Sequence, residues 1–260
     1  MVEAARAAGE LALSYFRKLT AGQISSKTNI ADLVSIADQE CELLVEQHLA
    51  SCEPSYGFIG EESWTEEAKH HEYCWVVDPI DGTSNYLAGL PLWAVSIALC
   101  DAALKPLAGV IHAPSLGYTW STRLGHGAYC NGKPMRVRRE TPAGGQYNSM
   151  LATGFPYDTT ERGTNIDYFT RMQSRFHKIR RLGSAAIDMA YIAEGIFDGM
   201  WELKLKPWDT AAGVLLVTEA GGYCSQINGA PYTPGDVELV VAARPELLAL
   251  MCAVLGGIIT

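Results

Sequence analysis

The sequence lacks most of what marks an extracellular, membrane-spanning or nucleic-acid-binding chain. Its seven cysteines, at 41, 52, 74, 100, 130, 224 and 252, are odd in number and show no C-x-x-C spacing, so neither a disulfide framework nor a cysteine zinc site is indicated and a reducing compartment is expected. H-E-x-x-H is absent, and the six histidines include one adjacent pair, His70-His71, which reads as solvated loop residues rather than zinc ligands. No apolar run is long enough to cross a membrane: the two richest, Leu87 to Cys100 and Leu247 to Thr260, are short and contain Gly or Pro. Basic charge is scarce. Against 29 Asp and Glu stand 20 Lys and Arg, a formal net charge of -9, and the clusters Arg136-Val137-Arg138-Arg139 and Lys178-Ile179-Arg180-Arg181 do not offset it, so nucleic acid is not an expected partner. Met1 to Leu19 carries acids at Glu3 and Glu10 and no basic leader, and is read as an amphipathic helix rather than a signal peptide. Together these absences predict a cytoplasmic protein with no membrane partner.

What is present is enough apolar sequence, 48% of 260 residues, for one large domain or two tightly packed ones. After the first helix, Ser25 to Asn29 reads as an exposed loop, and Asp38 is placed to cap a second helix through Cys41, Leu44 and Val45 to about Ala50. Tyr73-Cys74-Trp75-Val76-Val77 has the composition of a buried strand that ends at Asp78. Strands are expected over Leu92 to Leu99, Leu104 to His112, Tyr118 to Thr122 and Gly127 to Cys130, with a tight turn at Asn131-Gly132. The first half is thus helices on a largely antiparallel sheet. Residues 140–148 are rich in turn formers and are the candidate boundary between a segment 1–142 and a segment 143–260. Beyond it, Ser184 is placed to cap a helix that Gly195 ends, Phe197 to Leu203 reads as strand, and an Ala-rich helix starts from Asp209 and stops at Gly221-Gly222. The whole reads as an α/β layered chain.

One theme recurs: a carboxylate at the end of an apolar segment. Glu61 follows Phe58-Ile59, Asp78 and Asp81 follow the strand at 73–77, and Asp209 opens a helix. Pro79 ends ladder pairing, while Gly82 permits a sharp turn with its N–H turned to a ligand. Carboxylates beside unpaired N–H donors suit a cation bound together with an anion such as phosphate. An Asp-Gly pair by itself is an ordinary turn, and Glu61 and Asp209 are what move the reading toward a site.

Three motifs carry a resemblance: Gly60-Glu61-Glu62-Ser63, then Trp75-Val76-Val77-Asp78-Pro79-Ile80-Asp81-Gly82-Thr83-Ser84-Asn85, and Pro207-Trp208-Asp209-Thr210-Ala211-Ala212-Gly213 leading to Glu219-Ala220-Gly221-Gly222. With Ala31-Asp32-Leu33-Val34 and Arg180 to Ala186, they make essentially the whole sequence resemble the inositol monophosphatase family of magnesium-dependent, lithium-sensitive phosphatases. The resemblance implies an αβαβα sandwich of the inositol monophosphatase and fructose-1,6-bisphosphatase type, cut near residue 142 into two subdomains, and a homodimer. It implies two or three Mg²⁺ ions, one held by Glu61, Asp78 and the Ile80 carbonyl, another by Asp78, Asp81 and Asp209, and a weaker third involving Glu61. It further implies that Glu61 and Thr83 orient the attacking water, that Gly82 and Thr83 amides hold phosphate, and that Asp81, Gly183, Ser184, Ala185 and Glu202 meet the alcohol.

Lys27 and Asp38 match positions flanking the metal site in such relatives, and Leu205-Lys206-Pro207 looks like bacterial members, whose substrates vary. A small-molecule phosphate monoester is therefore the expected substrate, inositol 1-phosphate first. Fructose-1,6-bisphosphate, histidinol phosphate, NADP and adenosine 3′,5′-bisphosphate are same-fold alternatives. A regulatory binding protein on this scaffold is the alternative of another class.

Overall fold

A computed structural model describes residues 1–26, 33–65, 71–156 and 159–259. The chain begins with α1 (Val2–Tyr15), the two-stranded ribbon β1 (Ile24–Ser26) and β2 (Leu33–Ser35), and α2 (Ile36–Cys52). Then come β3 (Gly57–Gly60), β4 (Tyr73–Asp81), the short α3 (Thr83–Ala88), β5 (Ala94–Asp101), β6 (Pro106–Ala113), β7 (Tyr118–Arg123), β8 (Ala128–Cys130) and β9 (Lys133–Met135). The second half holds β10 (Met150–Thr153), α4 (Thr159–Gln173), β11 (Lys178–Arg180), α5 (Ala185–Ala193), β12 (Gly199–Leu203), α6 (Pro207–Glu219), β13 (Tyr223–Ser225), β14 (Glu238–Ala242) and α7 (Pro245–Leu255).

Strands β3 to β9 form one sheet in sequence order, antiparallel except for the β3–β4 pair. The second sheet has the order β11-β10-β12-β14-β13, with β10 parallel to both its neighbours. Period-2 alternation along β4 divides its side chains between two cores. Trp75 and Val77 join Ala5, Ala8, Val45 and Leu49 of α1 and α2, while Cys74 and Val76 join Ala186, Met189, Ala212 and Leu216 of α5 and α6. The far side of α5 and α6 meets Met200 and Val241 of the second sheet. That sheet's outer face, with Leu151, Trp201 and Val240, packs on Met172 of α4 and on Leu247 and Met251 of α7. The layers therefore run α, β, α, β, α, as the resemblance implies.

Helices α5 and α6 belong to the later half of the chain yet share a core with the earlier sheet. Segment 140–148 is held from the far end of the sequence: buried Arg244 donates to the carbonyls of Arg138 and Glu140, and to Ser149 Oγ, and pairs with Asp198 at 2.9 Å. The tight turn at Asn131-Gly132 is present, with both residues at positive φ, joining β8 to β9.

Three expectations shift. The second helix starts at Ile36 and is capped by Ser35, whose Oγ accepts from the Ala37 amide; Asp38, one turn in, closes the capping box by accepting the Ser35 amide at 2.8 Å. Asp209 likewise sits in the first turn of α6, after Pro207 at the helix start, and accepts the Lys206 amide at 2.6 Å. β4 does not end at Asp78 but continues through Pro79 to Asp81. His112 lies half-buried in β6, inside the strand expected over Leu104 to His112, with Nδ1 3.0 Å from Thr119 Oγ1. Lys27, Asp32 and His70 lie outside the described residues.

Candidate active site

The end of β4 is where the site is built. Against β5, Asp78 is opposite Ser96 and Asp81 is opposite Ala94, so β4 carries three steps where β5 carries two. The extra residue is a β-bulge. Residues three apart on a regular strand face opposite sides of the sheet. The bulge resets that parity and lets both Asp78 and Asp81 reach the same cavity. Pro79 tolerates this because it has no amide to lose from the ladder. The turn is fastened inside: the Ile80 amide donates to Asp78 Oδ1 at 3.0 Å, and Thr83 Oγ1 lies 3.2 Å from the Ile80 carbonyl and 3.3 Å from Asp38 Oδ1.

Gly82 then takes φ +95°. A Cβ there would come within about 3 Å of the Leu92 and Gly183 carbonyls, so conformation and space both require glycine. Asn85, in the next turn, donates to the carbonyls of Leu92 at 2.7 Å and Leu182 at 2.8 Å. It ties the β4 turn to the segment before α5, and so joins the two walls of the cleft.

From the opposite wall, Ser184 caps α5, with Oγ accepting from the Ile187 amide. The Ser184 hydroxyl and the Ala186 amide, the latter at 2.8 Å, both donate to Asp81 Oδ2. Asp209 arrives on α6 and Glu61 at the end of β3, its amide bonded to the Val77 carbonyl at 3.1 Å. The Glu61 turn is braced from α2: buried Glu42 accepts the Glu62 amide at 2.8 Å. Every residue that the sequence nominates for metal, phosphate or alcohol lines one cavity of about 130 Å³: Glu61, Asp78, Ile80, Asp81, Gly82, Thr83, Gly183, Ser184, Ala185, Glu202 and Asp209. Asp38 stands behind it, against Thr83.

Carboxylate oxygens of Asp78, Asp81 and Asp209 lie within 4.8 Å of one another. Burial, then the charges of Glu61, Asp81 and Asp209, hold the Asp78 carboxyl well above the usual carboxylate range. Burial lifts Asp81 to about 6, against the lowering pull of the Ser184 hydroxyl and the Ala186 amide. Asp209 is also raised well above its ordinary value, by burial and then by Glu61 and Asp81. Acids packed this closely repel unless protons or a cation join them. The donors are all oxygen, with no thiol or imidazole among the residues lining the cavity, which fits a hard cation such as Mg²⁺.

In the same cavity, burial and then the charge of Asp81 push Glu202 up to about 8, with Arg181 pulling the other way. The Glu202 carboxylate occupies the space where Gly154 has no side chain; a Cβ on Gly154 would fall onto its oxygen. Gly154 itself is positioned by Asn165, which donates to the Gly154 carbonyl and accepts from Trp201 Nε1 at 2.9 Å. Arg181 lies over the Phe155 ring, 5.2 Å from its centroid. Sequence reasoning passed over Gly154, Asp188 and Arg181, all of which line the cavity.

The family model for the inositol monophosphatase family matches residues 1–259. The chain belongs to the inositol monophosphatase family. This family of metal-dependent phosphatases accounts for an acidic cluster beside a cleft with hydrogen-bonding walls. An inositol-1-monophosphatase of Mesorhizobium japonicum is 38% identical over 230 residues, 88% of this chain and 85% of that protein. A Nus factor SuhB of Xylella fastidiosa is also 38% identical, over 88% of this chain and 82% of that protein. Among solved structures, the extragenic suppressor protein suhB of Bartonella henselae superposes with a TM-score of 0.88 at 33% identity, covering 98% of this chain and 96% of that one.

Proposed function

We propose that this member of the inositol monophosphatase family is a Mg²⁺-dependent phosphomonoesterase acting on the phosphate ester of a small polyol, with inositol 1-phosphate the first substrate to test. The observation that carries the proposal is the convergence of Asp78, Asp81 and Asp209 within 4.8 Å, in a cleft that Glu202 also lines. Asp78, Asp81, Asp209, Glu61 and the Ile80 carbonyl would hold two or three Mg²⁺ ions. Bound there, Mg²⁺ supplies Lewis acidity to the phosphoryl group and lowers the pKa of water.

The residues of the chain do the positioning. Thr83 has one hydroxyl proton, given to Asp38 or to the Ile80 carbonyl, so its lone pairs accept from an attacking water. Glu61 accepts that water's other proton. The amides of Gly82 and Thr83, where β4 turns into α3, hold the phosphate oxygens. Asp81, kept in place by Ser184 and Ala186, stands between phosphate and alcohol. Glu202 accepts hydroxyl hydrogen bonds from the alcohol.

This lining favours a monoester over fructose-1,6-bisphosphate, NADP or adenosine 3′,5′-bisphosphate, because beside Glu202 a second phosphate would meet two acids, Glu202 and Asp188, and, among the described residues, a single cation, Arg181. The proposal includes the family's homodimer and lithium sensitivity. It is tested by phosphate release from a panel of monoesters and bisphosphates with Mg²⁺, with Mg²⁺ and Li⁺, and with EDTA. Release only in the presence of Mg²⁺, suppressed by Li⁺ and greatest for a polyol monoester, is expected. Relatives named Nus factor support a second, regulatory reading. Absence of release from every ester would favour it.

A further inference from the structure

One polar group of the cleft has no role in the chemistry above. Asp188, on α5, is 1% exposed, lines the cavity, and has an Oδ1 with no hydrogen-bond partner among the described residues. It lies one turn into α5 from the cap Ser184, whose Oγ donates to Asp81, and both Ser184 and Asp188 line the cavity. The charges that act on Asp188 are Glu202 first and Asp81 second. The rest of α5 is apolar core, with Ile187, Met189, Ala190 and Ile192 buried. A buried carboxyl oxygen left without a partner among them costs stability that a ligand donor would restore.

The surroundings narrow what that donor is. An anion is disfavoured by Glu202 and Asp188 together. A cation is not called for, since Arg181 already places positive charge in this cavity and acts on Glu202. A metal ion has its oxygen cluster in Asp78, Asp81 and Asp209, a group that does not include Asp188. Neutral hydroxyl groups remain, and two carboxylates on different walls, Glu202 on β12 and Asp188 on α5, offer acceptors to two of them.

Resting on the phosphatase reading above, we propose that Asp188 is a specificity-determining residue that accepts a hydrogen bond from a hydroxyl of the leaving alcohol, so that with Glu202 it selects polyol phosphates bearing at least two hydroxyls near the ester. The test compares wild type, Asp188→Ala and Asp188→Asn by kcat/KM on inositol 1-phosphate and on phenyl phosphate, which has no hydroxyl to offer. The ratio of the two constants is expected to fall about tenfold or more in Asp188→Ala, chiefly through KM for inositol 1-phosphate, and less in Asp188→Asn, whose amide oxygen still accepts. The melting temperature of Asp188→Ala is expected to equal or exceed that of wild type, because a buried carboxyl oxygen left without a partner has been removed. Mg²⁺ binding measured by calorimetry should be unchanged.

A ratio within about twofold of wild type in both variants would overturn the inference while leaving the phosphatase reading standing. So would a lowered melting temperature with equal losses on both esters, or loss of Mg²⁺ binding. A wild-type protein that releases phosphate from neither ester would overturn the phosphatase reading and this inference with it.

Discussion

Asp78 and Asp81 enter the same cavity because β4 holds one more residue than β5 between them. Without that bulge one carboxylate would face the core between α2 and the sheet, and the cluster with Asp209 would not form. The cost of gathering these acids is visible in their raised pKa values, and it sets a pH dependence on the fold itself.

Asp81 titrates near 6 in the fold, against an ordinary value of 3.8. Its protonated form is favoured by folding, so its contribution to stability is complete below about pH 4 and is lost as pH rises through about 6. Asp78 and Asp209 shift in the same direction. The metal-free protein should therefore melt at a lower temperature at pH 8 than at pH 5. Added Mg²⁺ should raise the melting temperature more at pH 8, where fewer protons compete for the carboxylates than at pH 5. Equal Mg²⁺ shifts at both pH values would mean that these acids are not where the ion binds.

Gly154→Ala is expected to push the Glu202 carboxylate out of its place, since the new Cβ would fall onto it. Misplacing one substrate contact by about an ångström costs on the order of 10- to 100-fold in rate, so kcat/KM for inositol 1-phosphate should fall by that range. Phenyl phosphate, which does not use Glu202, should lose much less. Steady-state kinetics on both esters checks this, and equal losses would place Gly154 in the fold rather than in alcohol recognition.

Asn85→Ala should loosen the cleft without touching a proposed ligand. It leaves the Leu92 and Leu182 carbonyls short of the donors they have at 2.7 and 2.8 Å, a loss of about 1–3 kcal/mol. Urea denaturation should show a lower midpoint with an unchanged slope. An unchanged midpoint would show that the two walls are held together by other contacts.

Much of this was legible in the sequence because strand ends and helix starts are local events. The apolar run before Asp78, the cap at Ser184 and the stop at Gly221-Gly222 each depend on a few neighbouring residues. The bulge was not legible, because it is defined by register against β5, and a strand with Pro79 inside reads as ended. Asp38 reads as the cap because it is the acidic member of a capping box whose other member, Ser35, is the N-cap itself. Asp188 escaped notice because α5 is buried between two sheets and nearly all its residues are in the core, which removes the polar face that would have oriented it. Gly154 and Glu202 are far apart in sequence, and nothing local in either announces their contact.

The central claim is that Asp78, Asp81 and Asp209 form the metal centre of a phosphatase. Phosphate release from inositol 1-phosphate, measured as Mg²⁺ is titrated into metal-free wild type and metal-free Asp209→Asn, tests it most directly. The wild type should be silent in EDTA and recover with Mg²⁺, while the folded variant stays more than about 100-fold slower, beyond what loss of mere outer support to a ligand costs. Wild-type turnover that persists in EDTA, or near-normal turnover by Asp209→Asn, would contradict it.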